Sequence, residues 1–166
     1  MLKSRFLSSV LFCCLLLVFS SGSSFAQSPA AITESDVMTF LDSMDKAARK
    51  KNLAPIIAAL ADDVKIKLVV SVQGSDKEEV IHLNKEQWTY STRRALRRRF
   101  AYTLERKNTR LKMYDDNKTA MATSDLYETM TVAQAKVRAV SSETVIVTLR
   151  NGKLVVISSE TRVRFY

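Results

Sequence analysis

The chain has little glycine, proline, cysteine or histidine. Its 166 residues include 3 glycines, 2 prolines, 2 cysteines and 1 histidine. So few glycines and prolines exclude a collagen-like chain, a proline-rich linker and a low-complexity segment. No internal repeat is present in the sequence either. The hydrophobic share of 46% and the charged share of 26% are typical of a globular chain, and the length favours a single domain.

Both cysteines lie in an N-terminal segment that has the three parts of a secretory signal peptide. Lys3 and Arg5 give a positively charged start, and the apolar run Phe6–Phe19 follows. Small residues come next, with Ser24 and Ala26 at the −3 and −1 positions of a cleavage site. The alternative is a retained membrane anchor, but the run is shorter than the roughly 20 residues that cross a bilayer. We therefore predict a signal peptide over residues 1–26.

Cleavage would change the charge and remove all cysteine. The predicted mature chain keeps 140 of the 166 residues, and its formal charge falls from +9 to +7 because Lys3 and Arg5 are lost. Without cysteine it has neither a disulfide nor a thiol nucleophile. With His82 as its single histidine it cannot form a His/Cys zinc site within one chain, so we predict no metal and no cofactor. Residues 27–32 are expected to form a mobile tail, and residues 33–166 the folded domain.

Three segments have the periodicity of helices. The first is capped by the Thr33 hydroxyl. Its apolar positions recur with helical spacing at Val37, Phe40, Leu41, Met44, Ala47 and Ala48. A second, shorter helix is predicted over Leu53–Ala61. The third begins at a capping box formed by Asn84 and Gln87 and runs to about Ala101.

The rest of the chain has strand character, with the alternation of period two clearest in the first strand. The predicted strands are Val64–Val72, Glu79–Leu83, Thr103–Tyr114, Thr119–Val132, Thr144–Arg150 and Lys153–Phe165. Asn151 and Gly152 separate the last two strands and are the strongest hairpin signal in the chain. The order α-α-β-β-α-β-β-β-β with antiparallel hairpins predicts an α+β fold.

This order resembles that of the nuclear transport factor 2-like superfamily, which is also called polyketide-cyclase-like. The resemblance is carried by two helices that end in Leu-Ala-Asp-Asp-Val at 60–64 and by the hairpin Val145–Val156, and it covers Thr33 to Tyr166. It implies a curved antiparallel sheet wrapped on three helices into a cone, often with an apolar pocket. The superfamily includes isomerases, dehydratases, non-catalytic ligand binders, secretion-system scaffolds and dimerising adaptors, so the fold by itself selects no function.

Five arginines lie near the end of the third predicted helix. On a helical wheel one side of this helix is apolar and includes Trp88, Leu96 and Phe100. The opposite side carries four arginines, namely Arg93, Arg94, Arg97 and Arg98. Guanidinium groups bind phosphates and carboxylates as a fork, so we predict an anion-binding surface; the alternative is a solvated helix face. The export signal favours an anionic envelope component or an acidic protein as partner and disfavours nucleic acid.

The fifth arginine, Arg99, falls on the apolar side of the same helix. A guanidinium group that points toward a sheet needs a partner. Glu128 interrupts an apolar face of the predicted strand Thr119–Val132, so we predict that Arg99 and Glu128 form a pair in a ligand pocket, with Arg99 as an anion anchor. The other predicted pocket residues are Trp88, Tyr102 and Tyr127. The alternative places Arg99 in a fraying last turn and Glu128 on a solvent face.

No pattern in the sequence predicts a catalytic residue. His82 is interpreted as a polar residue of an edge hairpin, and Asp62 and Asp63 as turn residues at a helix-to-strand junction. The ketosteroid-isomerase-like members of the superfamily use a pocket carboxylate, a tyrosine and an acidic partner. That set of residues is not matched position by position in this chain.

The sequence therefore predicts an exported, non-enzymatic binding domain. It would hold an apolar or amphipathic ligand in a pocket and use its basic surface to meet an anionic envelope partner. Two alternatives stay open: an enzyme of isomerase, dehydratase or hydrolase type, and a dimerising adaptor of an envelope or secretion complex. A homodimer is expected, formed through the convex face of the sheet if that face is apolar.

Overall fold

A computed structural model describes residues 31–72, 77–96, 100–132 and 135–166. The predicted signal peptide, most of the predicted tail, and the arginines at 97, 98 and 99 lie outside these ranges. Among the described residues, no helix is long and apolar enough to cross a membrane.

The structure contains three helices, and each of the two longer ones begins at a reciprocal cap. Helix α1 is Glu34–Arg49, α2 is Leu53–Ala59 and α3 is Lys85–Leu96. At the start of α1, Thr33 N donates to the Asp36 carboxylate at 2.9 Å, and Asp36 N donates to Thr33 Oγ1 at 3.2 Å. Asn84 and Gln87 form the same reciprocal pair at the start of α3, with distances of 2.9 and 3.0 Å. The predicted caps are confirmed.

Six strands form one curved, unclosed sheet. Its strands are β1 (Leu60–Val72), β2 (Glu78–Leu83), β3 (Ala101–Met113), β4 (Thr119–Val132), β5 (Ala135–Arg150) and β6 (Lys153–Phe165). They lie in the order β2-β1-β6-β5-β4-β3. Neighbouring strands are antiparallel, except that β6 pairs with β1 in parallel. The predicted α+β class and element order are confirmed.

Several element boundaries differ from the predicted ones. Helix α2 ends at Ala59, because Leu60 already pairs with Val156 of β6. Asp62 and Asp63 therefore lie in β1 and are not turn residues; they form ion pairs with Lys85 and Arg150. The third helix ends within the described residues at Leu96, and Ala101 opens β3. Strand β5 begins at Ala135, well before Thr144, because β4 pairs with it from Ala135 to Thr148.

The core lies between α1 and one face of the sheet, called here the inner face. Val37 and Leu41 of α1 are 0% and 1% exposed and belong to one cluster with inner-face residues. The buried inner-face members of this cluster include Ala120, Ala122, Val145, Val147 and Val156. Ile32 is also buried there, and its N–H donates to Asn117 O at 2.8 Å. This residue of the predicted mobile tail is therefore packed as part of the folded domain.

Three irregularities in strand pairing accompany the curvature of the sheet, and one of them is a shift of the β1/β6 register between Leu60 and Lys65. The β3/β4 register shifts between Lys107 and Arg110, where Asn108 has a φ of 53°, and the β5/β6 register shifts between Ile146 and Val147. Bulges of this kind bend a strand and increase its local twist. The β5–β6 turn is tight because Asn151 and Gly152 have φ values of 51° and 73°, as the favoured two-residue hairpin turn requires.

Candidate functional site

A buried ionic cluster joins α1 to the inner face of the sheet. We call Asp45, Arg106 and Glu143 the Arg106 cluster. Arg106 Nε and Nη2 each donate to the Asp45 carboxylate at 2.9 Å, and Nη1 donates to Glu143 Oε2 at 2.7 Å. The side chains of Arg106, Asp45 and Glu143 are 10%, 6% and 16% exposed. Two carboxylates thus share one guanidinium group in the interior of the domain.

Each member of the cluster reaches the interior because of its periodicity. Asp45 follows the buried Leu41 by four residues, so both lie on the side of α1 that faces the sheet. Arg106 alternates with the buried Leu104 on β3 and therefore points to the inner face. Glu143 takes the equivalent position on β5, two residues before the buried Val145.

Burial and the neighbouring charges together shift the pKa values of the cluster. Burial raises the pKa of Glu143, the guanidinium of Arg106 opposes this rise, and the negative charges of Asp45 and Glu128 add to it. Burial acts to lower the pKa of Arg106, but its bonds with Asp45 and Glu143 outweigh that effect and raise it. Arg106 is therefore permanently charged. Glu143 holds its proton more tightly in the folded chain than in the unfolded one, so its contribution to stability falls as the pH rises above its ordinary pKa.

A second polar group lies farther along the inner face, near the start of β3 and the end of β4. Tyr102 Oη donates a hydrogen bond to Glu128 Oε1. Ser141 Oγ lies 3.5 Å from Glu128 Oε2, at the outer limit of a hydrogen bond. Burial raises the pKa of Tyr102, and the negative charge of Glu128 raises it further. The phenol therefore stays protonated and acts as a donor to the Glu128 carboxylate.

This pair lies in a pocket of about 300 Å³, called here the inner pocket. Its walls are apolar and come from the end of α3 and from β3 to β6, and they include Leu96, Phe100, Met130, Val137, Val163 and Phe165. Ala139 completes the floor directly opposite Glu128 in the β4/β5 register. The described lining thus consists of hydrocarbon and aromatic rings, with Tyr102 and Glu128 as its polar members.

A smaller cavity of about 120 Å³ lies next to the Arg106 cluster. Trp88 of α3, Leu41 and Met44 of α1, and Arg106 and Glu143 are among its lining residues. Its volume is well below the range of about 300–1,000 Å³ that is usual for a ligand pocket. We therefore treat it as a packing defect of the core beside the buried charges.

The structure brings together some of the predicted site residues and separates others. Tyr102 and Glu128 share the inner pocket, whereas Trp88 borders the smaller cavity. Tyr127 does not line the pocket, because it alternates with Glu128 along β4 and so lies on the outer face, where Lys107 Nζ is 5.1 Å from its ring centroid. Arg99 lies outside the described residues, and the described partners of Glu128 are Tyr102 and Ser141.

The remaining predicted sites lie on the surface. Arg93 and Arg94 are exposed on α3, while Arg97 and Arg98 lie outside the described residues. His82 is exposed on the edge strand β2, opposite Lys67. Within the described ranges, no three His, Cys, Asp or Glu side chains come close enough together to hold a metal ion.

Sequence reasoning missed the Arg106 cluster, although Asp45 and Arg106 each left a local signal. Asp45 borders the apolar arc of α1, which is an unusual position for a carboxylate without a partner. Arg106 follows Tyr102 and Leu104 at alternate positions of the strand, and this alternation predicts that its side chain points inward. These signals indicate a buried charge at each position, but none of them indicates which partner it meets.

Comparison with known proteins establishes the fold and no activity. No protein-family model and no curated protein matches the chain. Among solved structures, a conserved protein from Planctomyces limnophilus is 15% identical to this chain, with a TM-score of 0.64. The match covers 80% of this chain and 97% of that one. A nuclear transport factor 2-like protein from Cytophaga hutchinsonii is 12% identical, with a TM-score of 0.60 and coverage of 79% of this chain and 98% of that one.

A third neighbour is a hexachlorocyclohexane dehydrochlorinase from Novosphingobium barchaimii. It is 11% identical with a TM-score of 0.58, and the match covers 78% of this chain and 84% of that one. Identities this low carry no information about substrate or chemistry, but the agreement of the backbone over nearly the whole of these chains is specific. The chain therefore has the nuclear transport factor 2-like fold that the order of its elements predicts.

Proposed function

We propose that this domain binds a small apolar or amphipathic ligand in the inner pocket without transforming it. The observation that carries the proposal is the lining of the pocket: its described walls are apolar, and one hydrogen-bonded pair, Tyr102 and Glu128, lies among them. Ligand sites in proteins have this composition, with hydrophobic walls and a few polar groups that orient the ligand.

The size of the pocket sets the expected affinity. A volume of about 300 Å³ is at the lower end of the range for small-molecule sites. A ligand that buries about 200 Å² of apolar surface there gains about 5 kcal/mol. A gain of about 5 kcal/mol corresponds to a dissociation constant of about 0.2 mM. Because association also costs translational and rotational freedom, a dissociation constant in the millimolar range is expected.

Filling the pocket mouth tests the proposal. Val137 lines the pocket but is 39% exposed, so the larger side chain of Val137→Trp can enter the pocket without disturbing the buried core. We expect a neutral apolar dye such as N-phenylnaphthylamine to bind the unmodified domain and to bind this variant at least tenfold more weakly, which is about 1.4 kcal/mol. Fluorescence titration measures both affinities.

Val80→Trp is the matched control for this experiment. Val80 is 51% exposed on the edge strand β2 and does not line the inner pocket. The same substitution there adds the same indole group to the surface, and we expect dye affinity to stay unchanged. Equal affinity of the two variants, or no binding of the dye by the unmodified domain, would contradict the proposed function.

An enzyme of the same fold is the second candidate, and the position of Glu128 favours it. A carboxylate in an apolar pocket beside a protonated tyrosine is an arrangement that serves proton transfer. One structural neighbour is a dehydrochlorinase, which shows that this fold can carry elimination chemistry. Deuterium uptake into a bound ligand, followed by mass spectrometry, separates the two candidates, because a binding protein returns its ligand unlabelled.

We also propose that the chain is exported and that α3 faces an anionic envelope partner. The N-terminal sequence supports export, and the exposure of Arg93 and Arg94 supports the surface. Neither arginine has an ion-pair partner among the described residues. Homodimer formation stays a prediction; the outer face of the sheet carries lysine, arginine and threonine over much of its length, so it is less apolar than that prediction assumed.

Charge reversal tests the basic surface. The double variant Arg93→Glu and Arg94→Glu is expected to lose at least tenfold in affinity for vesicles that contain phosphatidylglycerol, because attraction to anionic lipid is about 1 kcal/mol per basic residue. Co-sedimentation at low salt measures the binding. Reversal at Lys65 and Lys112, which are exposed on the outer face of the sheet, changes the net charge equally and is the control. Equal losses in the two double variants would show a response to net charge alone.

A further inference from the structure

We propose that the ligand of the inner pocket is an organic cation, with an ammonium group bound at Glu128 and a short apolar body between the hydrophobic walls. This inference rests on the ligand-binding function proposed above and adds the charge of the ligand. It is carried by the charge of the interior, by the free acceptor capacity of Glu128 and by the aromatic walls.

The interior is acidic although the chain as a whole is basic. The formal charge of the chain is +9, but in the described space between α1 and the sheet Asp45 and Glu143 share the guanidinium group of Arg106, and Glu128 has no described ion-pair partner. Arg49, at the exposed end of α1, donates to Leu104 O at 3.3 Å. The negative charges of all three carboxylates contribute to the raised pKa of Tyr102, so their combined field reaches the floor of the inner pocket. A cation entering the pocket is stabilised by this field.

Glu128 has acceptor capacity that the described residues do not use. An ionised carboxylate accepts about four hydrogen bonds. The described donors to Glu128 are Tyr102 at Oε1 and, at 3.5 Å, Ser141 at Oε2. Each oxygen therefore keeps a lone pair for a donor on the ligand. An ammonium group supplies up to three such donors together with a compensating charge.

The aromatic walls are suited to the same group. Phe100 and Tyr102 both line the pocket, with ring centroids 6.3 Å apart and ring planes perpendicular to each other. Faces of aromatic rings attract cations through their quadrupole. Phe100 shows this property already, because Lys51 Nζ lies 3.9 Å from its ring centroid. Lys51 donates to the Phe100 carbonyl oxygen and is not one of the described lining residues of the pocket.

An anionic ligand would be disfavoured by the described lining. Its charge would lie beside Glu128 among apolar walls, where like charges at close range repel strongly. Arg106 offers no compensation, since Asp45 and Glu143 already share its charge. The anion anchor predicted at Arg99 is the competing hypothesis, and the ligand preference of the domain decides between them.

Three compounds of equal length test the charge of the ligand. Octylammonium, octanol and octanoate have the same apolar body, and isothermal titration calorimetry at neutral pH measures their affinities for the unmodified domain. We expect octylammonium to bind at least tenfold more tightly than octanol and octanoate to bind most weakly. The test is stringent, because the positive net charge of the chain favours octanoate in non-specific association.

The variant Glu128→Gln tests whether Glu128 is the group that binds the ammonium. Glutamine keeps the shape of the side chain and removes its charge, so octylammonium affinity is expected to fall at least tenfold while octanol affinity changes less than threefold. Glu105→Gln is the matched control: it removes the same charge from an exposed residue on the outer face of β3, and it is expected to leave the preference for octylammonium unchanged.

The outcomes separate this inference from the proposed function. If octanoate or octanol binds more tightly than octylammonium, and Val137→Trp abolishes that binding, the pocket binds ligands but the inference of a cation is wrong. The same conclusion follows if Glu128→Gln and Glu105→Gln have equal effects. If none of the three compounds binds, or if Val137→Trp leaves their binding unchanged, the proposed function itself is wrong.

Discussion

Replacing Arg106 by methionine is expected to lower the free energy of unfolding by about 3–5 kcal/mol. Methionine fills much of the volume of arginine but leaves Asp45 and Glu143 buried without a counter-charge. The cost comes from these two orphaned carboxylates, because removing one partner of a buried ion pair is far more damaging than removing the pair. Urea denaturation followed by circular dichroism measures the change.

Two further variants show whether unpaired charge is the cause. Arg150→Met removes an arginine that also binds a carboxylate with two nitrogens, at 2.6 and 3.1 Å, but on the surface, so a loss of less than about 1 kcal/mol is expected. Replacing all three cluster residues by leucine or methionine is expected to restore most of the lost stability. An Arg106→Met loss as small as that of Arg150→Met would contradict the buried cluster.

Leu41→Ala is expected to cost about 2–5 kcal/mol. Leu41 is 1% exposed and lines the cavity of about 120 Å³ near Trp88, so truncation enlarges a void that already exists. The sheet beneath it presents Ala120 and Ala122, whose methyl groups cannot extend into the new space. The expected cost therefore combines the lost transfer free energy of the side chain with that of a larger cavity.

Leu154→Ala is the matched control for Leu41→Ala. Leu154 is half-buried near the β5–β6 turn and packs against the edge of the same cluster, so a loss of about 1 kcal/mol is expected. Thermal and urea denaturation of both variants give the comparison. Equal losses would mean that α1 does not pack on the inner face of the sheet in the way described.

Most of the fold can be predicted because its signals are local. These local signals are the caps at Thr33 and Asn84, the alternation along β1 and the Asn151–Gly152 turn. Each depends on residues that are close together in the sequence. The boundaries of α2 and β5 could not be predicted in the same way. Leu60 extends a strand because Val156 pairs with it, and β5 runs back to Ala135 because β4 lies beside it.

The candidate site also has a part that the sequence predicts and a part that it does not. Alternation along β4 shows that Glu128 interrupts an apolar face, and this much follows from the sequence. The donor to Glu128 is Tyr102, and the two lie 26 residues apart in the chain; their contact depends on the register of β3 with β4. Tyr127 lies between Leu126 and Glu128 in β4. Its side chain is on the outer face because successive residues of a strand point to opposite faces.

The sequence alone therefore determined the class of fold, the order of its elements and the scarcity of reactive side chains such as cysteine and histidine. These properties follow from composition and from periodicity over a few residues. The tertiary structure decided which charges meet: Asp45 and Arg106 are 61 residues apart, and Arg106 and Glu143 are 37 apart. A buried charge in a sequence shows that a partner is required, but helix packing and strand register choose that partner.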